Sequence, residues 1–486
     1  IHKRGMRLVL DLVVNHTSDE HPWFEEARKS RHNPYYNYYH WWPAEKGEPP
    51  LRLSYFDEEG NAWMYNKSTD SYYLHYFSRK QPDLNWENPE VRQEIFDMMR
   101  FWFDKGIDGF RMDSISLIAK DPSFPLIDSK KYPDIFSFYA KEPRLHLYLH
   151  EMNRQVLSKY DCMSVGEGSA VMVDDVAKFV DPAREELNML YHFDAARIRN
   201  TTLPDNPESG IDYSLIALKK MFTEWDKAVD KGWPSIYLGN HDQPRMVSRF
   251  GSDKDEFRAL SAKMLITFLL TMRGTPYWFA GDEIGMRNIR FDRIEDYNDI
   301  DTINRYKKAK AEGKDPQAVL DEQKETGRDN ARTPFQWDRS PEAGFTAGTP
   351  WLKVNPDYTW INVADEEKDP TSILNYFKKV VSFRKENPSL IYGSYHLLDA
   401  ENPQCYIFLR KTGADTYLIM LNFSPKAAIS TPGIDMSNAH VLLDNYGDRS
   451  HMAPQKDITL RPFEAIVFQL NHPVYESFID SLDLLE

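Results

Sequence analysis

Residues 7–14 (RLVLDLVV) form a short run of Leu and Val with little alternation, the pattern of a parallel strand buried on both faces. Similar runs stand at 107–112, 162–165, 189–193, 235–238 and 275–279. Most follow a stretch of helical periodicity, such as EVRQEIFDMMRFWFDKG, HLYLHEMNRQVLSKY or FRALSAKMLITFLLTMRG. Six strands alternating with amphipathic helices predict an α/β fold with a parallel sheet, and at this number of repeats a (β/α) barrel.

Two segments break the alternation. An aromatic-rich stretch over 17–84, holding HPWF, NPYYNYYHWWP and SYYLHYF, is too long for a simple turn and predicts an inserted small domain. Its aromatics from Tyr35 to Trp42 suit either packing or stacking on a sugar. After residue 388 the texture changes to short alternating segments, CYIFLRK, TYLIMLNF and AIVFQL, separated by Gly, Pro, Asn and Asp. These predict a C-terminal antiparallel β domain of sandwich type over 389–486, leaving 1–16 and 85–388 to the barrel.

Composition narrows the partners. The chain of 486 residues is 41% hydrophobic and 28% charged, ordinary for a globular protein, and no apolar run is long enough to predict a membrane span. Its 60 Lys and Arg against 75 Asp and Glu give a net charge of −15, which repels a polyanion, so nucleic acid is not an expected partner. The two cysteines, Cys162 and Cys405, provide no disulfide framework and no metal or redox cluster, which fits a cytoplasmic protein. A monomer is expected.

In barrels of this kind the working residues follow the strands. Here the strand ends carry Asn15-His16, Arg111-Met112-Asp113, Gly166-Glu167, Asp194 and Asn240-His241-Asp242. Each alone has a plainer reading: a helix cap, a satisfied polar residue or a structural ion pair. Several acids converging on one face cost stability, however, and folding gives no reason to tolerate that. Cleavage of a glycosidic bond with retention does. One carboxylate attacks the anomeric carbon, a carboxylic acid about 5–5.5 Å away protonates the leaving oxygen, and a further carboxylate stabilises the positive charge between them. Arg111, two residues before Asp113 on a strand, shares its face and keeps it ionised. Glu167 must hold a proton near neutrality, a task expected of neighbouring negative charge.

The motifs DLVVNH (11–16), GFRMD (109–113), VGEG (165–168) and GNHDQPR (239–245) stand in the order and spacing of the α-amylase superfamily of glycoside hydrolases, family 13, which the chain resembles along essentially its whole length. HTSDEHPWFEEARKS, YYLHYFSRKQPDLNWENPEVR, GTPYWFAGDEIGM and GRDNARTPFQWD resemble its oligo-1,6-glucosidase and α-glucosidase branch. The resemblance implies a (β/α)8 TIM barrel and a retaining, exo-acting α-glucosidase acting on small isomalto- or malto-oligosaccharides or sucrose. Asp113 would be the nucleophile, Glu167 the acid/base and Asp242 the transition-state stabiliser. His16, Arg111 and His241 would bind the hydroxyls of the terminal glucose, Arg328 would close the blind end of the pocket, and Phe56 would line it.

The resemblance also marks departures. The family's first two βα units, its acid-rich calcium loop and the aspartate that partners the pocket arginine would precede residue 1. No cofactor or metal is otherwise expected. A parallel barrel closes only when every strand has two neighbours, so the chain alone is expected to be poorly active. Ser114, after the nucleophile, stands where the α-1,6 branch usually has Val and the α-1,4 branch Ala or Thr, leaving linkage open. A sucrose isomerase or transglucosidase, or a trehalose-6-phosphate hydrolase, would use the same carboxylates. A non-catalytic binding homologue would have lost them.

Overall fold

The structure is a computed structural model that describes residues 1–56, 60–128, 130–132, 135–413, 415–450 and 456–470. Parts of the predicted inserted domain (57–59) and C-terminal domain (414, 451–455 and 471–486) lie outside the described residues. The chain divides into two compact units, Ile1–Phe193 with Ala228–Pro234, and Asp194–Lys227 with Ser235–Glu486.

The strands of the first unit are β1 (Val9–Val13), β2 (Trp41–Pro43), β3 (Trp63–Asn66), β4 (Ser71–Leu74), β5 (Gly109–Asp113), β6 (Met163–Glu167) and β7 (Met189–Tyr191). Four of them form a parallel sheet in the order β1-β5-β6-β7. The register sets Asp11 beside Arg111, Arg111 beside Val165, and Glu167 beside Tyr191. The helix Pro89–Asp104 leads into β5. Asn88 caps it by accepting the Glu90 N–H, Pro89 occupies its first turn, and Val91, Ile95, Phe96, Met99 and Phe103 form its buried stripe. The predicted insert folds as a three-stranded antiparallel sheet, β2-β4-β3.

The structure corrects the reading of the first strand. The RLVLDLVV run is not buried on both faces: Leu12 and Val14 are in the core, but Val9 and Val13 are 36% and 46% exposed. β1 is an edge strand whose only ladder partner among the described residues is β5, so its second edge has no neighbouring strand there to cover it.

The second unit holds β8 (Ser235–Ile236) and β9 (Thr275–Pro276), paired in parallel, so all six predicted strands are present. Its C-terminal strands are β10 (Ser394–Leu398), β11 (Cys405–Thr412), β12 (Asp415–Asn422), β13 (Ala428–Ser430), β14 (Ala439–Asp444), β15 (Ile458–Leu460) and β16 (Ala465–Leu470). They form an antiparallel sheet β10-β11-β12-β16-β14 and a second, β13-β15. CYIFLRK does not alternate between core and solvent as expected, because both faces of β11 are covered. Cys405, Ile407 and Leu409 join a core with Met420, Ile458 and Ile466, whereas Tyr406 packs on Phe268 of the largely buried helix Arg258–Thr271. Arg384 and Arg410, both buried, donate to backbone carbonyls that include Met272 and Gly274 for Arg384 and Thr271 for Arg410, pinning the chain that enters β9.

Candidate active site

Within the first unit the functional candidates gather where β5, β6 and β7 end. Along β5, Phe110 and Met112 point into the core while Arg111 and Asp113 share the other, partly open face, as the two-residue period of a strand requires. Glu167 ends β6 and is only 6% exposed. Its position rests on a glycine: a Cβ on Gly166 would come within 2.7 Å of Leu187 and 2.8 Å of Ile115.

Arg111 is the hub. Its Nη1 donates to Asp11 Oδ1 (2.8 Å) and Asp113 Oδ1 (2.7 Å). Its Nη2 donates to Glu167 Oε2 (2.7 Å) and to the Tyr191 hydroxyl, and its Nε donates to the same hydroxyl (2.8 Å). Five contacts account for the five N–H groups a guanidinium has. Burial works against the charge, but Glu167 and the other partners outweigh it and raise the Arg111 pKa above its ordinary value. The resemblance implied that Arg111 holds glucose hydroxyls; in this structure its N–H groups meet three carboxylates and the Tyr191 hydroxyl. Glu167 Oε2 also accepts the Ser114 N–H at 2.9 Å, from a residue held at φ 43°. The negative neighbours expected to help Glu167 keep its proton are thus met by a guanidinium that contacts them and Glu167 alike.

His16 is buried, with Nδ1 3.2 Å from Asn15 Nδ2 and Nε2 3.1 Å from Gln81 Nε2. Burial is the main reason its pKa is lowered, with Asp83 and Asp113 pulling the other way. The ring packed on it is Phe77, 5.1 Å between centroids, and Phe56 reaches this group by packing on Phe77 at 5.7 Å. Behind His16 lies a buried ion pair, Lys120 Nζ to Asp83 Oδ2 at 3.1 Å, in which Lys120 also donates to Asn15 Oδ1 at 2.6 Å.

Within the second unit, His241, Asp242 and Arg328 come together after β8. Asp242 Oδ1 accepts from Arg332 Nη2 (2.7 Å) and Arg328 Nη1 (3.2 Å), and Oδ2 lies 3.2 Å from His241 Nε2. Arg332 Nε donates to the His241 carbonyl at 2.7 Å. Arg328 is also held by an aspartate of this chain: its Nε donates to Asp299 Oδ1 at 2.9 Å. Asp299 caps the helix Ile300–Ala311 through Oδ2, and its own N–H is held by Asp329 Oδ2 at 2.8 Å. Asp194, the remaining strand-end acid, instead accepts from Trp225 Nε1 at 2.8 Å.

Sequence reasoning missed Tyr191, Lys120, Asp83, Arg332, Asp299 and Asp329. Tyr191 ends β7 but lies inside the predicted strand 189–193, so the strand-end rule pointed past it to Asp194. The others lie outside the strands and α-helices, where no periodicity announces them. Among the described residues, no group of three or more His, Cys, Asp or Glu is arranged to hold a metal ion, and no helix is long and apolar enough to cross a membrane.

Comparison with known proteins adds four findings. The family description "alpha amylase, catalytic domain" matches residues 1–393. The chain is 49% identical over 484 residues to an oligo-1,6-glucosidase of Parageobacillus thermoglucosidasius, covering 97% of this chain and 84% of that relative. It is 40% identical over 481 residues to a trehalose-6-phosphate hydrolase of Bacillus subtilis, with coverage of 97% and 84%. Among solved structures it is similar to a point mutant of the trehalulose synthase MutB in complex with Tris, at TM-score 0.90 and 39% identity over 96% of this chain and 84% of that one.

Proposed function

Because the chain belongs to the α-amylase family by its catalytic domain, we propose that it releases glucose from the ends of short α-1,6-linked gluco-oligosaccharides, with retention at the anomeric carbon. It is a glycoside hydrolase of the α-glucosidase kind, built on a TIM-type barrel with a C-terminal antiparallel domain, and its substrate is a small sugar.

The observation that carries the mechanism is the Arg111 clamp, which holds Asp113 and Glu167 on neighbouring nitrogens of one guanidinium. That arrangement fits the short spacing of retaining enzymes, about 5–5.5 Å, better than the ~6.5–9.5 Å that leaves room for a water between the carboxyls of inverting ones. Asp113 attacks the anomeric carbon while Glu167, in its protonated form, gives its proton to the departing glycosidic oxygen. A glucosyl ester on Asp113 results. Glu167 then takes a proton from water, the water oxygen bonds to the anomeric carbon, and the ester bond to Asp113 breaks. Asp242 is assigned the third role, facing the positive charge of each transition state, and Arg328 the closure of the pocket. The scheme uses three carboxylates and no cofactor. The relatives named oligo-1,6-glucosidase support the α-1,6 preference, and the two unpaired cysteines suit the proposed cytosolic location.

NMR of isomaltose hydrolysis tests this reading. α-Glucose should appear first and mutarotate later, with isomaltose preferred to maltose and soluble starch a poor substrate. Early β-glucose refutes retention, and comparable rates on starch refute exo action. The likeness to trehalulose synthase favours one second reading, isomerisation of sucrose. Free glucose and fructose from sucrose support hydrolysis, whereas a rearranged disaccharide as main product supports the isomerase.

A further inference from the structure

Three residues after Asp242, Arg245 is only 2% exposed and carries its guanidinium into the loop region behind the Asp242 group. Its Nη2 donates to the carbonyl of Ala331 at 3.0 Å, and Ala331 lies between Arg328 and Arg332, the two cations on Asp242. Its Nη1 donates to the Ala280 carbonyl at 2.7 Å and lies 3.5 Å from Asp282 Oδ1. Its own N–H is held by Asn288 Oδ1 at 2.9 Å, and its guanidinium stands 4.9 Å from the centre of the Phe279 ring. The fit is tight: Gly281 has φ +103° and a Cβ there would meet Arg245 Nη1 at 2.7 Å.

One side chain therefore ties together three loops. They are the loop bearing His241 and Asp242, the segment bearing Arg328 and Arg332, and the loop after β9 bearing Asp282. Asp282 is 4% exposed and faces the Arg245 guanidinium; burial pushes its pKa up to about 7, with Arg245 pulling it back down. Folding does not require so costly an arrangement, since a buried ion pair is often replaceable by apolar side chains without loss of stability. A catalytic carboxylate does require it: Asp242 must stay in one place relative to the two arginines, and a shift of about 1 Å can cost ~10²-fold in rate.

We propose that Arg245 and Asp282 are positioning residues for Asp242, setting through Ala331 the distance between that carboxylate and the cations of Arg328 and Arg332. The proposal rests on the assignment of Asp242 as a catalytic group. Neither residue touches substrate in this scheme, so their loss lowers kcat and leaves KM nearly unchanged.

The test is steady-state hydrolysis of isomaltose by the full chain and by Arg245→Lys, Asp282→Asn, Arg332→Lys, Arg245→Lys with Arg332→Lys, and Asp242→Asn, each with its melting temperature. Arg245→Lys keeps the charge and loses the fork; its kcat should fall about a hundredfold with KM within threefold. Asp282→Asn, which keeps side-chain volume, should lower kcat in the same direction, so the proposal does not depend on one variant folding. The double variant should be no slower than the slower single one, because both act through one segment. A kcat within twofold of the parent in both Arg245→Lys and Asp282→Asn, or losses that multiply in the double variant, would overturn the positioning role. Those results beside an inactive Asp242→Asn would leave the reading of Asp242 standing. An Asp242→Asn variant within tenfold of the parent would instead sink that reading, whatever the Arg245 variants do.

Discussion

Replacing Arg111 by Lys keeps a positive charge between the carboxylates and removes the fork that spaces them. The guanidinium serves Asp11, Asp113, Glu167 and the Tyr191 hydroxyl. An ammonium has three donors, so at least one of these four partners loses its bond. A charge-assisted bond contributes about 1.5–3 kcal/mol, and the Arg111 side chain is 18% exposed, so solvent replaces little of the loss. Stability should therefore fall by about 2 kcal/mol. Misplacing Asp113 or Glu167 by about 1 Å should lower kcat by ~10²-fold. Because the guanidinium is engaged by protein groups, KM for isomaltose should move by less than threefold. Arg111→Met goes further and leaves two carboxylates facing one another. At a separation of about 5 Å and an effective dielectric near 20, their repulsion is about 3 kcal/mol, enough to move the alkaline limb of the rate profile, where Glu167 loses its proton beside ionised Asp113, upward by roughly two pH units. The assay is kcat and KM against pH for the three proteins, with urea melts alongside. A tenfold rise in KM at unchanged kcat in Arg111→Lys would show that Arg111 binds sugar, and an unmoved alkaline limb in Arg111→Met would refute the clamp.

Other outcomes follow from the same structure. Lys120→Met strands Asp83 as an uncompensated buried charge and should cost about 3–5 kcal/mol in a chemical melt, part of it recovered by adding Asp83→Asn; an unchanged midpoint would contradict the buried pair. Ser114→Val puts a β-branched residue at φ 43°, which should cost about 1–3 kcal/mol and move the isomaltose-to-maltose rate ratio. An unaltered ratio would take Ser114 out of linkage choice. Burial is the chief cause of the lowered pKa values of His16 and His40. The folded state therefore holds them neutral while the unfolded chain takes up protons below pH ~6.5, so stability is intact above that pH and lost as pH falls through it. His40→Gln should reduce the loss of melting temperature between pH 7.5 and 5.5, both set as assay conditions; an equal loss in both proteins would rule His40 out.

The parallel strands and the strand-end acids were legible in the sequence because each depends on a local pattern: an apolar run of fixed length, a two-residue alternation, a charged residue where the run stops. Arg111 and Asp113 shared a face as their spacing required. Burial that depends on neighbours was less legible. RLVLDLVV reads as a doubly buried strand, yet β1 lies at a sheet edge, and CYIFLRK reads as half-solvated, yet a helix covers its second face. The buried polar groups were least legible, because Lys120 with Asp83, and Asp299 with Arg328, are brought together by tertiary structure and have no periodic signature.

Trapping the covalent intermediate tests the central claim most directly. A fluorinated α-glucosyl fluoride, which forms the ester faster than it is hydrolysed, is incubated with the protein, and the labelled peptide is found by mass spectrometry after digestion. The label should sit on the peptide containing Asp113, should form in the Glu167→Gln variant, where the fluoride leaving group needs little protonation, and should be absent from Asp113→Asn. A glucosyl label on any other acid, or turnover of isomaltose by Asp113→Asn within tenfold of the parent, would contradict the account.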